Sequence, residues 1–147
     1  MQKHQRSFFG QKVGMIFDSG NWDHEYAYIT FVRKRESGTW EKPSNGEGKR
    51  IKVNLGELIM LSKVLDGSLD RWSTVHSFKE IKTTISCAKN ANKAGEIWIN
   101  VNKYAKNLRS PEIDILGMIL KHIIKEKVVR ATVPKKFESK LPQIIQS

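Results

Sequence analysis

The chain is poor in cysteine, in long apolar runs and in negative charge. Cys87 is the only cysteine among 147 residues. One thiol excludes an intramolecular disulfide and a cysteine-based zinc site, and it fits a reducing, intracellular setting. No run of 18 apolar residues exists, because the most apolar stretch, Ile113 to Ile124, is broken by Asp114 and Lys121. No membrane span is therefore expected. The opening MQKHQRSFFGQK is basic but lacks the apolar centre of a secretory signal. Fifteen acidic residues stand against 26 Lys and Arg, a net charge of +11. A surplus of that size points to a polyanionic partner, nucleic acid before an anionic membrane. The plainer alternative is a solvated basic surface. Hydrophobic content of 39% excludes wholesale disorder. The length suits one domain, or two small halves sharing one core.

The order of elements suggests two such halves. Val13 to Phe17 reads as a short strand, and Asp18 to Asn21 as a turn. Tyr26 to Arg35 is a longer strand rich in Tyr, Ile, Thr, Phe and Val. Lys42 to Gly48 is a Pro/Gly loop, and Lys49 to Val53 alternates strictly. A helix follows, with Asn54 as cap, Glu57 three residues on, and Leu55, Leu58, Ile59, Leu61 and Leu65 as its apolar stripe. Gly67 is its expected stop. The pattern then restarts with strands over Trp72 to Phe78, Ile81 to Ala88 and Glu96 to Lys103. A second helix is expected from Ser110-Pro111, with Ser as cap and Pro first in the helix, to about Lys127.

Side chains alternate across a strand. Ile51, Val53 and Leu55 oppose Arg50, Lys52 and Asn54. Ile29 and Phe31 oppose Tyr26, Tyr28, Thr30 and Lys34. Ile81, Ile85 and Cys87 oppose Lys82, Thr84 and Ser86. Ile97, Ile99 and Val101 oppose Glu96, Trp98, Asn100 and Asn102. Each strand thus has one apolar face for the helices and one basic, hydroxylic and aromatic face. The second kind suits a single-stranded nucleic acid, whose phosphates meet Lys and Arg and whose bases stack on rings. Rings on an exposed sheet also stabilise cross-strand pairs, which is the structural alternative for each of them. Trp98 is the clearest stacking candidate of the second half, whereas Trp72 also suits a core position.

Other motifs lead nowhere. GEGKR, Gly46 to Arg50, resembles a phosphate loop but has Arg after the Lys and a strand next, so only Lys49 and Arg50 are kept as phosphate contacts. Asp18, Asp23, His24 and Glu25 crowd a turn without a second ligand group at a telling spacing. His4, His24, His76 and His122 are scattered, and Cys87 falls on the apolar parity of its strand.

A strand ending in basic residues, a Gly turn, WEKPSNGEGKR, the strand IKVNL and a helix resemble the DNA-binding module of the transcriptional coactivator positive cofactor four. The resemblance covers roughly Phe9 to Leu65. It places Arg33 and Lys34 at a DNA-contacting strand end and matches Lys42-Pro43 to the family's Lys-Pro, with Ser44 in place of its Gly. It matches Lys49 and Arg50 to a basic pair, and puts Trp22 near a stacking aromatic. Arg33 shares its parity with Ile29 and Phe31, so a twist or bulge is needed to bring it to the binding face. Trp40 sits nearer the Pro loop than the family's second stacking aromatic. Two strands-then-helix units in one chain are similar to the Whirly and kinetoplastid guide-RNA-binding proteins, and to non-OB single-stranded-DNA-binding proteins of some archaea.

The expectation is an α+β domain over residues 1–133, an antiparallel β-sheet with two helices, built from halves at about 9–67 and 72–127. A basic tail, 134–147, follows. The protein is expected to bind single-stranded DNA with weak sequence preference through Lys12, Trp22, Tyr26, Tyr28, Arg33, Lys34, Lys42, Lys49, Arg50, Lys52 and Trp98. No catalysis, metal or cofactor is expected. RNA binding by the same fold, a metal-dependent nuclease using Asp18, Asp23 and Glu25, and a protein-interaction module are the alternatives. A homodimer through helix 111–127 is expected from the stripe Ile113, Leu116, Leu120, Ile123 and Ile124, widened by Ile115, Met118 and Ile119.

Overall fold

The computed structural model describes residues 3–21 and 23–132. Trp22 and the 134–147 tail lie outside the described residues. Strands β1 (Gln5–Phe9), β2 (Val13–Asp18), β3 (Tyr26–Arg33) and β4 (Lys49–Asn54) lead into helix α1 (Leu55–Leu65). Strands β5 (Arg71–Phe78), β6 (Ile81–Lys89), β7 (Ile97–Val101) and β8 (Tyr104–Leu108) lead into α2 (Glu112–Ala131). Each set forms its own antiparallel four-stranded sheet, in chain order. The fold is α+β, strands then helix, twice.

The strands are divided between two sheets, where one was expected, and each sheet holds an additional edge strand. In β1 only Phe8 is buried, so its sequence carries no alternation to read. β8 has no β-branched residue. It follows β7 through the two-residue turn Asn102-Lys103, where Asn102 takes φ +51°. Asparagine tolerates that left-handed conformation, and its Oδ1 accepts the Thr84 N–H at 2.9 Å.

Helix α1 starts as its sequence demands. The Glu57 N–H donates to Asn54 Oδ1 at 2.8 Å, and the Asn54 N–H donates to Glu57 Oε1 at 3.0 Å, a reciprocal capping box. Helix α2 starts differently from expectation. Pro111 is the cap and contributes no side-chain bond, while Ser110 Oγ donates to Asp114 Oδ2 at 2.8 Å. The Ser110 hydroxyl therefore serves a carboxylate one turn on and leaves the backbone N–H groups without it.

Buried residues of both halves form one cluster. Phe17, Ile29, Phe31 and Val53 from the first sheet join Ile85, Ile99 and Leu108 from the second, with Leu58 and Leu61 of α1 and Leu116, Leu120 and Ile123 of α2. The helices contact each other. Cys87 is fully buried, and desolvation pushes its thiol up to about 12. Trp72, Ile113, Ile115, Ile119 and Ile124 are partly buried against the same core, so most of the wide apolar surface of α2 is used inside the chain. Met118, 66% exposed, is the exception near its middle.

Leu120 is 1% exposed at this junction. Leu120→Ala is expected to lower unfolding free energy by about 2–5 kcal/mol in urea titrations, through lost transfer energy and a residual cavity. A loss under about 1 kcal/mol would mean the halves are not joined through α2.

Candidate nucleic-acid interface

The outer face of the first sheet follows from register. Pairing places Tyr28 opposite Lys52 and Thr30 opposite Arg50, while Ile29 faces Ile51 and Ala27 faces Val53 beneath. Four expected site residues thereby converge. The Arg50 guanidinium lies 3.9 Å from the Tyr28 ring centre, and Lys52 Nζ lies 3.9 Å from the centre of Tyr26. The two tyrosines meet edge to face, with centres 5.5 Å apart. His24 extends the ladder by stacking on Tyr26 at 4.8 Å and 17°. Burial, the Tyr28 hydrogen bond and nearby negative charge raise the Tyr26 phenol above its ordinary range, so it is neutral at physiological pH.

A second aromatic pair closes the other end of this face. Phe9, Gly14 and Val32 are aligned across β1, β2 and β3. The Phe9 ring covers Gly14 so closely that a Cβ there would stand 2.7 Å from it. Trp40 packs edge-on against Phe9, centres 4.7 Å apart, and Phe9 stays 47% exposed. Lys12 and Lys34 are exposed beside this pair, joined by the Lys34 N–H to the Lys12 carbonyl at 2.9 Å. From Val32 to Tyr26 the face runs about 20 Å at strand spacing. A concavity of about 540 Å³ adjoins each end. One is lined by Tyr26, Lys52, Asn54, Glu57 and His76, the other by Phe9, Lys12, Lys106 and Arg109.

Other expected residues fall elsewhere. No bulge returns Arg33 to the outer face. Its guanidinium donates to the Lys103 carbonyl at 2.6 Å and lies 4.3 Å from the Tyr104 ring centre, so it ties the halves together. Lys49 is half-buried and pairs with Phe31 on the core parity, opposite to Arg50. Lys42 is exposed where the 3₁₀ turn Pro43–Asn45 begins. That loop is braced by Arg35, which pairs with Glu47 and donates to the Trp40 carbonyl. The Arg35 hydrogen bond also holds the Glu47 carboxyl below its usual range.

Trp98 lies on the outer face of the second sheet, between Ala88 and Asn107. Its indole N–H donates to Glu96 Oε1 at 3.1 Å. Alternation puts Glu96 on the outer parity with Trp98, yet it is 4% exposed. It also accepts from Asn90, Asn107 and Arg109. The Asn107 bond, then that of Asn90, with Arg109 and Trp98 adding to them, outweigh burial and hold its carboxyl at about 2. The second sheet therefore presents a braced, weakly basic surface with Arg71, Ser73, Ser86 and Asn100 around Trp98.

The acidic turn does not assemble. Asp18 accepts the Gly20 N–H at 2.8 Å and pairs with Lys3 at 3.4 Å, while Asp23 pairs with His24 at 3.9 Å. Among the described residues, Asp18, Asp23 and Glu25 form no group of converging ligand atoms.

Sequence reasoning missed Phe9, His24 and Trp40 as members of the face. The signal for Phe9 was Gly14, an isolated glycine inside a strand, which marks close approach of another group.

No family model matches the chain, and no curated protein matches it significantly. A solved structure of MRP1/MRP2 from trypanosoma bruciei matches with a TM-score of 0.62 at 9% identity, covering 82% of this chain and 83% of that one. The likeness is one of fold. Among the described residues no helix is long and apolar enough to cross a membrane.

The Glu96 network sets an acid limit. A carboxyl depressed in the folded state contributes stability that is complete above its unfolded value, about 4.3, and is lost as pH falls towards the folded value. Unfolding midpoints followed by Trp fluorescence are expected to fall between about pH 4.3 and about 2. Glu96→Gln should be less stable at pH 7 and show a shallower fall. An identical acid profile in the variant would remove Glu96 as its source.

Proposed function

We propose that the protein binds single-stranded DNA, with weak sequence preference, along the outer face of the first sheet. The observation that carries this reading is the ladder of Tyr26 and Tyr28 with Lys52 and Arg50 over their rings, with exposed Phe9 packed on half-buried Trp40 at the other end of the face. Magnitudes favour use of these rings. An exposed cation–π contact contributes about 0.5–1 kcal/mol, whereas stacking of one base contributes about 1–3. An arriving base displaces the cation from the ring, and the freed Arg50 or Lys52 meets the adjacent phosphate. Such contacts read charge and aromatic surface, so sequence preference is weak. No step requires a nucleophile or metal, and no catalysis is proposed.

The binding log–log slope against salt should approach about −3 if the exposed Lys12, Lys34, Arg50 and Lys52 each neutralise one phosphate. Arg50→Glu with Lys52→Glu alters two exposed residues and should weaken oligo-dT binding by at least about tenfold at low salt. Tyr28→Ala should cost about 1–3 kcal/mol. A folded double variant with unchanged affinity would remove this face from the site. Competition by RNA of equal length separates DNA from RNA preference, and tighter RNA binding would move the reading to RNA.

Self-association through α2 belongs to the same proposal. Met118 is exposed beside Gly117 and half-buried Ile115, leaving a narrow apolar strip for a second copy. Sedimentation at micromolar concentration should show a dimer that Met118→Glu dissociates. A monomeric wild type, or a dimer surviving in the folded variant, would overturn the dimer alone.

A further inference from the structure

His4, His122 and Glu126 take no part in the face described above. Their spacing in the chain suggests no ligand set, yet the fold brings them together. His4 precedes β1 and is fixed through its backbone. Its N–H donates to Ser19 Oγ at 2.9 Å, and its carbonyl accepts the Ser19 N–H at 2.8 Å. Ser19 is buried. His122 and Glu126 are one turn apart on α2 and so share a helix face. Their helix is held by the neighbouring buried residues Ile123 and Lys127. Lys127 Nζ donates to the carbonyls of Asn21 and His24 at 3.2 and 2.7 Å.

The donor atoms converge accordingly. His4 Nε2 lies 3.4 Å and His122 Nε2 3.1 Å from the same Glu126 oxygen. The ligand atoms of all three residues lie within 4.8 Å of one another. The imidazole planes cross at 89° with centres 5.0 Å apart, so the rings approach from different directions. Ligand atoms about 2.1 Å from a tetrahedral zinc ion stand roughly 3.4 Å apart. Two of the observed spacings are close to that value. The Glu126 side chain is 13% exposed, whereas those of His4 and His122 are 41% and 59% exposed, which leaves an open approach for an ion and a water.

We propose that His4, His122 and Glu126 form a zinc site, with water in the fourth position. Two imidazole nitrogens and a carboxylate oxygen suit a borderline divalent cation over calcium or magnesium, which prefer oxygen-rich shells. Zinc accepts this set in four-coordinate geometry. It closes the segment before β1 onto α2, across the 117 residues between His4 and His122, and thereby clips the edge of the first sheet to the helix of the second half. A bound ion that favours the folded chain raises apparent stability in proportion to ln(1 + [Zn]/Kd).

The test uses the untagged full chain, zinc in competition with a chromophoric chelator, and cobalt(II) as a spectroscopic probe. The expected result is one tight equivalent of zinc, a visible cobalt absorption of tetrahedral intensity, and a zinc-dependent rise in melting temperature. His122→Ala alters a mostly exposed side chain and should weaken zinc binding by at least about tenfold, the lower end of what outer-shell partners of a metal site contribute. It should also abolish the cobalt band. His4→Ala keeps the backbone bridge to Ser19 and should reproduce both losses. Wild-type affinity no tighter than that of the two variants, or a cobalt band surviving in both, would overturn the site. None of these readouts involves nucleic acid, so the result stands apart from the fate of the first-sheet interface.

Discussion

Register between β3 and β4 is the constraint on which the rest of the molecule depends. Ile29 against Ile51 and Ala27 against Val53 bury one face, so Tyr28 must meet Lys52 and Thr30 must meet Arg50 on the other. A slip of one residue would send every one of these side chains to the opposite face. Burial of the aliphatic set therefore positions the charges. The tyrosines are spaced two residues apart on one strand, the cations two apart on the next, and each cation reaches diagonally to a ring. Hydrophobic burial, which has no direction of its own, becomes a directional array because the strand repeats every two residues.

The second half acts on this array without belonging to it. Lys127 of α2 is 1% exposed, and desolvation lowers its ammonium below the usual lysine range, with Glu126 opposing that shift most among the nearby acids. A buried charge is costly unless hydrogen-bonded. Here the Asn21 and His24 carbonyls accept from it, and those carbonyls belong to the turn that carries His24 to Tyr26. Arg33 and Tyr104 bind the other end in the same manner, since Tyr104 donates to Glu41 at 3.0 Å while the Arg33 guanidinium covers its ring. The two halves thus divide their roles. One exposes cations over rings, and the other supplies the rigid partners that hold its loops.

The fold was legible where alternation or capping was strong. β3, β4, β6 and α1 lie close to where their patterns place them, and the Asn54/Glu57 box appears in full. β1 and β8 were not legible. An edge strand buries few side chains, and Gln5 to Phe9 or Tyr104 to Leu108 read as polar segments until a neighbour pairs with them. Parity also misled at Glu96, because alternation reports which side a residue faces and not whether other side chains roof it over. Four donors from Asn90, Trp98, Asn107 and Arg109 do so.

The sequence by itself determined the class of the fold, the aliphatic faces and the placement of Tyr26, Tyr28, Arg50 and Lys52 on one side of two adjacent strands. These follow from periods of 2 and 3.6 residues, which are local properties of the backbone. Only the tertiary structure decided that Arg33 turns to the second half, that Phe9 lies over Gly14 beside Trp40, and that His4 meets His122 and Glu126. Each of these depends on how two sheets and two helices fill one shared core. Contacts between residues far apart in the chain are set by that packing, and no repeat in the sequence encodes them.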